Sequence, residues 1–114
     1  MTSGMQTVIF PVSDLAKATP LFTALLGSAP VVDEPYYVQF DVNGQAVGLD
    51  PHGHRHGQAG PVGYWHVHDV AASVAALSEA GASVLQEPHD VGGGTLIALV
   101  TDPDGNVIGL RQQP

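Results

Sequence analysis

The chain repeats itself, and this constrains its fold more than any other feature. Val12-Ser13-Asp14-Leu15 is answered by Val67-His68-Asp69-Val70, and Leu26-Gly27 by Ala80-Gly81. Gly44-Gln45-Ala46-Val47-Gly48-Leu49 is answered by Gly105-Asn106-Val107-Ile108-Gly109-Leu110. Each copy reads as strand, capped helix, strand and hairpin. One copy has a single helix to cover its strands and leaves a sheet face bare, so two copies are expected to share a core. The expectation is one α+β domain over residues 1–114, with modules at about 5–50 and 61–112 and a linker at 51–60.

Local signals fill in each module. Thr7–Val12 is rich in β-branched and aromatic residues and suits a strand. Ser13 or Asp14 can cap a helix whose apolar face is Leu15, Ala18, Phe22 and Leu25, with Gly27 as its stop. Pro20 interrupts that pattern. Either the helix is kinked there, or Thr19 is the cap and Pro20 the first helical residue. Residues 36–42 and 45–50 flank Asn43-Gly44, a strong two-residue hairpin signal. In the second module Asp69 caps a helix with Val70, Val74 and Leu77 on its core face and Gly81 as stop. Strands are expected at 63–67, 83–86, 95–101 and 107–111.

Composition excludes several classes of function. The chain has no cysteine, which removes disulfides, thiolate metal sites and a cysteine nucleophile. Its apolar runs fall far short of the roughly 20 residues that span a bilayer. Met1–Gln6 lacks the basic start and apolar stretch of a secretory signal, so a cytoplasmic protein is expected. Eleven acidic residues face only Lys17, Arg55 and Arg111, giving a net charge of −8. A nucleic-acid backbone would be repelled and a cationic ligand favoured, although acids on this scale also serve solubility.

At this point the sequence resembles the vicinal oxygen chelate superfamily of glyoxalases, bleomycin-resistance proteins and extradiol dioxygenases. The resemblance rests on Val12-Ser13-Asp14-Leu15 with Leu25-Leu26-Gly27, on His66-Val67-His68-Asp69-Val70 with Ala80-Gly81-Ala82, and on Thr101-Asp102-Pro103-Asp104-Gly105-Asn106-Val107-Ile108. It implies two tandem βαβββ modules, a cupped mixed sheet with helices outside, and a homodimer. Metal-dependent members take ligands from the first and last strand of each module. Those positions map here to Thr7, Gly48, Val62 and Gly109, which lack the usual imidazole, amide and carboxylate donors. The expectation is therefore no metal and no cofactor, nearest to the metal-free, bleomycin-resistance-like members.

Strand alternation then predicts the lining of the cup. Tyr37, Gln39, Asp41, Asp50, Tyr64, His66 and Arg111 should line it, while Phe10, Val38, Phe40 and Trp65 should face the helices. Aromatic walls with a few polar groups describe a pocket for a small organic molecule, aromatic or cationic. The same residues also fit an ordinary strand surface covered by a dimer partner. His66, with Tyr64, is the best acid–base candidate, and Asp41 or Asp50 beside it would raise its pKa. The alternative function is thus an enzyme, a lyase, isomerase or dioxygenase with an atypical metal or a His66-based site. His52, His54 and His56 alternate in a Gly-rich loop and could gather a transition metal, or simply connect the modules. Gly92-Gly93-Gly94 lacks the Lys-Ser/Thr of a phosphate loop and suits a flexible rim. No serine has an evident His-Asp partner set.

Overall fold

The computed structural model of the chain describes residues 1–53 and 60–114. Its elements run β1 (Thr2–Pro11), α1 (Leu15–Leu26), β2 (Val32–Glu34), β3 (Tyr37–Val42), β4 (Gln45–Asp50), β5 (Val62–Val67), α2 (Val70–Glu79), β6 (Ser83–Asp90), β7 (Leu96–Thr101) and β8 (Val107–Gln112). The βαβββ order therefore occurs twice, and the fold is α+β with a mixed sheet. Among the described residues no helix is long and apolar enough to cross a membrane.

Two compact units emerge, an N-terminal one of Gln6–Val62 and a C-terminal one of Met1–Met5 with Gly63–Pro114. Strand β1 divides between them. It begins at Thr2, five residues before the expected start, because its first residues belong with β5: Thr2 Oγ1 donates to the His66 carbonyl at 2.7 Å. From Thr7 to Pro11 it pairs in parallel with Ala46–Asp50 of β4.

In the N-terminal unit the strand order is β2-β3-β4-β1. The hairpin joining β3 and β4 turns at Asn43 and Gly44, with φ of 49° and 83°, and pairs Gln39 with Gly48 and Asp41 with Ala46 as the two-residue turn requires. The three-residue strand β2 had no clear signal in the sequence, being short and polar. Helix α1 starts at Asp14, whose carboxylate accepts from the Ala16 N–H at 2.9 Å, and ends at Gly27 in the left-handed region. Pro20 lies inside this continuous helix, so Thr19 is not its cap. The core joins Val38, Phe40, Val47 and Leu49 to Phe10, Val12, Leu15, Ala18, Phe22 and Leu26. The packed row on α1 continues 18, 22, 26, so Leu26 is covered while Leu25 is 70% exposed, contrary to the expected face.

In the C-terminal unit β8 lies between β5 and β7, parallel to β5 and antiparallel to β7, and β6 forms the edge. Asp69 caps α2 by accepting from the Ala72 N–H at 3.0 Å. A second cap comes from β8, where the Gln112 side-chain oxygen accepts from the Val70 N–H at 2.9 Å. Val67, Val70, Val74, Ala98, Val100 and Leu110 form the core. Gly92-Gly93-Gly94, all with positive φ, sit in the turn between β6 and β7, where the Asp90 carboxylate accepts from the Gly92 N–H at 2.6 Å. Trp65 corrects an expectation. It alternates with Val67 toward the helix side, yet is 39% exposed, because α2 packs chiefly on β6, β7 and β8 and covers β5 at Val67.

Candidate functional site

Each unit packs one sheet face against its helix, and the expected site residues lie on the other. On the face of the N-terminal unit away from α1, Tyr37, Gln39 and Asp41 follow one another at alternate positions of β3. They form a hydrogen-bonded row. The Tyr37 hydroxyl donates to Gln39 Oε1 at 3.0 Å, and Gln39 Nε2 donates to Asp41 Oδ1 at 3.1 Å. Asp50 is engaged elsewhere, its carboxylate accepting from the His52 N–H at 2.8 Å in the turn that ends β4.

Tyr37 also fills the space beside Gly48. A Cβ added to that glycine would come within 2.8 Å of the Tyr37 ring atoms Cε1 and Cζ. The C-terminal unit repeats the arrangement. Tyr64 and Gly109 are register partners on β5 and β8, and a Cβ on Gly109 would come 2.7–2.9 Å from Tyr64 Cδ2, Cγ and Cε2. In both units the position that the sequence resemblance assigns to a last-strand carboxylate is a glycine roofed by a tyrosine ring. The two first-strand positions are Thr7 and Val62, each buried to 2% exposure. One hydroxyl without imidazole or carboxylate does not fit the donor set of a divalent centre. Among the described residues no three His, Cys, Asp or Glu side chains gather to hold a metal ion. His54 and His56 of the expected loop cluster lie outside the described residues.

His66 and Arg111 are the next register pair along β5 and β8, on the face away from α2. Two features set their electrostatics. Burial holds the His66 imidazole below its ordinary pKa, and the Arg111 charge pushes in the same direction. This reverses the expected rise, because the charge beside His66 is a cation, while the Asp41 and Asp50 carboxylates accept from Gln39 and from the His52 backbone. The second feature is that Arg111 Nε is buried and has no hydrogen-bond partner among the described residues.

The structure thus gathers Tyr37, Gln39 and Asp41 on one unit, and Tyr64, His66 and Arg111 on the other. Sequence reasoning missed two features. One is Gln112, whose role follows only from where β8 meets the start of α2. The other is a groove of about 440 Å³ on the helix side of the N-terminal unit, with Leu15, Thr19, Pro20, Asp33, Pro35 and Val38 among its walls. Its only sequence signal is Pro20 together with Pro35.

The sequence model of the Glyoxalase/Bleomycin resistance protein/Dioxygenase superfamily matches residues 4–110. No curated protein sequence matches the chain significantly. Solved structures of low identity share its fold. The NAD-dependent benzaldehyde dehydrogenase from Legionella pneumophila superposes with a TM-score of 0.77 at 20% identity, over 95% of this chain and 98% of that one. A glyoxalase/bleomycin resistance protein/dioxygenase superfamily member from Vibrio splendidus gives 0.70 at 18% identity, over 93% and 95%. Methylmalonyl-CoA epimerase from Mycobacterium tuberculosis gives 0.69 at 17% identity, over 99% and 89%. These likenesses establish the fold, and the family match covers almost the whole sequence. The chain belongs to the Glyoxalase/Bleomycin resistance protein/Dioxygenase superfamily.

Proposed function

We propose that this protein is a cytoplasmic, homodimeric binder of a small organic molecule, using the sheet face away from the helices without the superfamily's usual metal centre. One observation carries the reading: at Gly48 and at Gly109 the space of a metal-binding carboxylate is taken by the rings of Tyr37 and Tyr64. The half-buried Tyr37 then offers an aromatic surface, with Gln39 and Asp41 in a row next to it. An aromatic or small apolar body can pack on such a surface while the polar groups orient it. The test is metal titration calorimetry of untagged protein with Zn, Ni, Mn and Fe(II), followed by amide shift mapping with a panel of small aromatic molecules. The expected result is no tight stoichiometric ion, and shifts confined to residues near Tyr37 or Tyr64. One tightly held ion per chain, kept when His52, His54 and His56 are changed to Ala, would sink the proposal.

A second reading, catalysis at His66, is favoured by the depressed pKa of that imidazole next to a guanidinium. A neutral imidazole can accept a proton, and an adjacent cation favours negative charge on the molecule that gives it up. Turnover abolished by His66→Ala would support it, and turnover unchanged by that substitution would remove it.

A further inference from the structure

The structure assigns Arg111 to a carboxylate: we infer that the bound molecule is a small organic acid whose carboxylate pairs with the Arg111 guanidinium on the face away from α2. The inference rests on the binding reading above and names the class of ligand. The bulk charge of −8 favours a cation, but the local arrangement on β8 selects the opposite sign. Arg111 is one of three Lys and Arg residues in the whole chain, and it stands partly buried on β8, next to the buried Leu110. Its strand neighbours are His66 on one side and Ile97 on the other. Ile97 cannot accept a hydrogen bond, and a neutral imidazole does not neutralise the charge.

The buried Nε, unpartnered among the described residues, is the second observation. A buried donor on a charged group is among the costliest to leave unpaired, and native structures rarely do so without a reason. The Nε–H is one prong of the planar fork by which a guanidinium grips both oxygens of a carboxylate. Gly109, two residues earlier on the same side of β8, is packed under the buried Tyr64 ring, so no acidic side chain stands beside the fork at that position. A carboxylate brought by a small molecule supplies the missing partner.

The test titrates the full-length protein with benzoate, benzyl alcohol and benzylamine, which share a ring and differ in charge. Binding is followed by amide shifts, in wild type and in Arg111→Gln and Arg111→Lys. Unchanged thermal melting keeps misfolding out of the comparison. The expected result is benzoate binding with shifts at Tyr64, His66 and Arg111, weakened about tenfold or more by Arg111→Gln. Arg111→Lys should fall between, since it keeps the charge and loses the fork. Benzylamine or benzyl alcohol binding at this face as tightly as benzoate would overturn the inference while leaving the binding reading intact. Benzoate affinity unchanged in Arg111→Gln would do the same. No shift at the face with any of the three would overturn both.

Discussion

Tyr64 lies flat against the backbone of Gly109, so closely that a methyl group on the glycine would sit 2.7 Å from ring atom Cδ2. Tyr64 is 1% exposed, so the ring has nowhere to retreat. The matching pair, Tyr37 over Gly48, differs in one respect: Tyr37 is only half-buried. Overpacking in a dense interior costs about 1–3 kcal/mol, and less where the neighbour can swing toward solvent. Gly109→Ala is therefore expected to destabilise the fold by about 2–3 kcal/mol, and Gly48→Ala by less, about 1 kcal/mol. Urea denaturation midpoints of the two variants decide the matter. Equal losses would mean that Tyr37 is as firmly held as Tyr64.

Pro20 yields a prediction of the opposite sign. Helix α1 runs from Leu15 to Leu26 through this residue, which has no N–H to offer the carbonyl one turn earlier. An interior proline costs about 3 kcal/mol, part of which is offset because proline also restricts the unfolded chain. Pro20→Ala should therefore stabilise the protein, by about 1–2 kcal/mol. A lower midpoint would show that the groove formed by Pro20 with Leu15, Pro35 and Val38 contributes more packing than the missing bond costs.

Much of this fold was legible because its signals are local and doubled. Asp14 and Asp69 cap the helices, Asn43-Gly44 fixes a hairpin register, and the two glycine-marked strands confirm each other's alignment. The misreadings arose where long-range packing decides. Whether Leu25 or Leu26 meets the sheet depends on the rotation of α1, since both fit helical spacing. Trp65 has the right alternation for the core, but the placement of α2 over β6–β8 leaves it exposed. At the candidate site the face of each strand followed from period-two alternation. The sign of the His66 shift did not, because it depends on which charged residue pairs in register with it, and the repeat carries no information on that point.

The Asp102 turn gives a pH-dependent prediction. Its carboxylate accepts from the Asn106 side-chain amide at 2.8 Å, and from the Asn106 and Asp104 N–H groups at 2.8 and 2.9 Å. The Asn106 side chain is the largest cause of a pKa below the ordinary value, followed by the Asn106 backbone. A depressed carboxylate contributes stability that is present above its unfolded value of roughly 3.9 and is lost as pH falls through the folded value. Asp102→Ala should speed amide exchange at Asp104 and Asn106 at neutral pH, and the difference from wild type should shrink as pH falls below about 4. A gap that persists at pH 2 would show that the carboxylate charge is not what holds the turn.

The sharpest check on the electrostatics is the titration of His66 itself. Burial comes first among the causes of its lowered pKa and the Arg111 charge second. Imidazole NMR titration should therefore place His66 below its ordinary value of roughly 6.5. Because the folded pKa is the lower one, the unfolded chain binds more protons in the window between the two values. The contribution of His66 to stability is thus complete above about pH 6.5 and lost as pH falls through the folded pKa. Arg111→Gln removes only the second cause, so the pKa should move upward without reaching the ordinary value, since burial remains. A pKa above about 6.5 in the wild type would place a carboxylate, not Arg111, as the dominant charge at this imidazole. The carboxylate pairing inferred for Arg111 would then have an internal competitor.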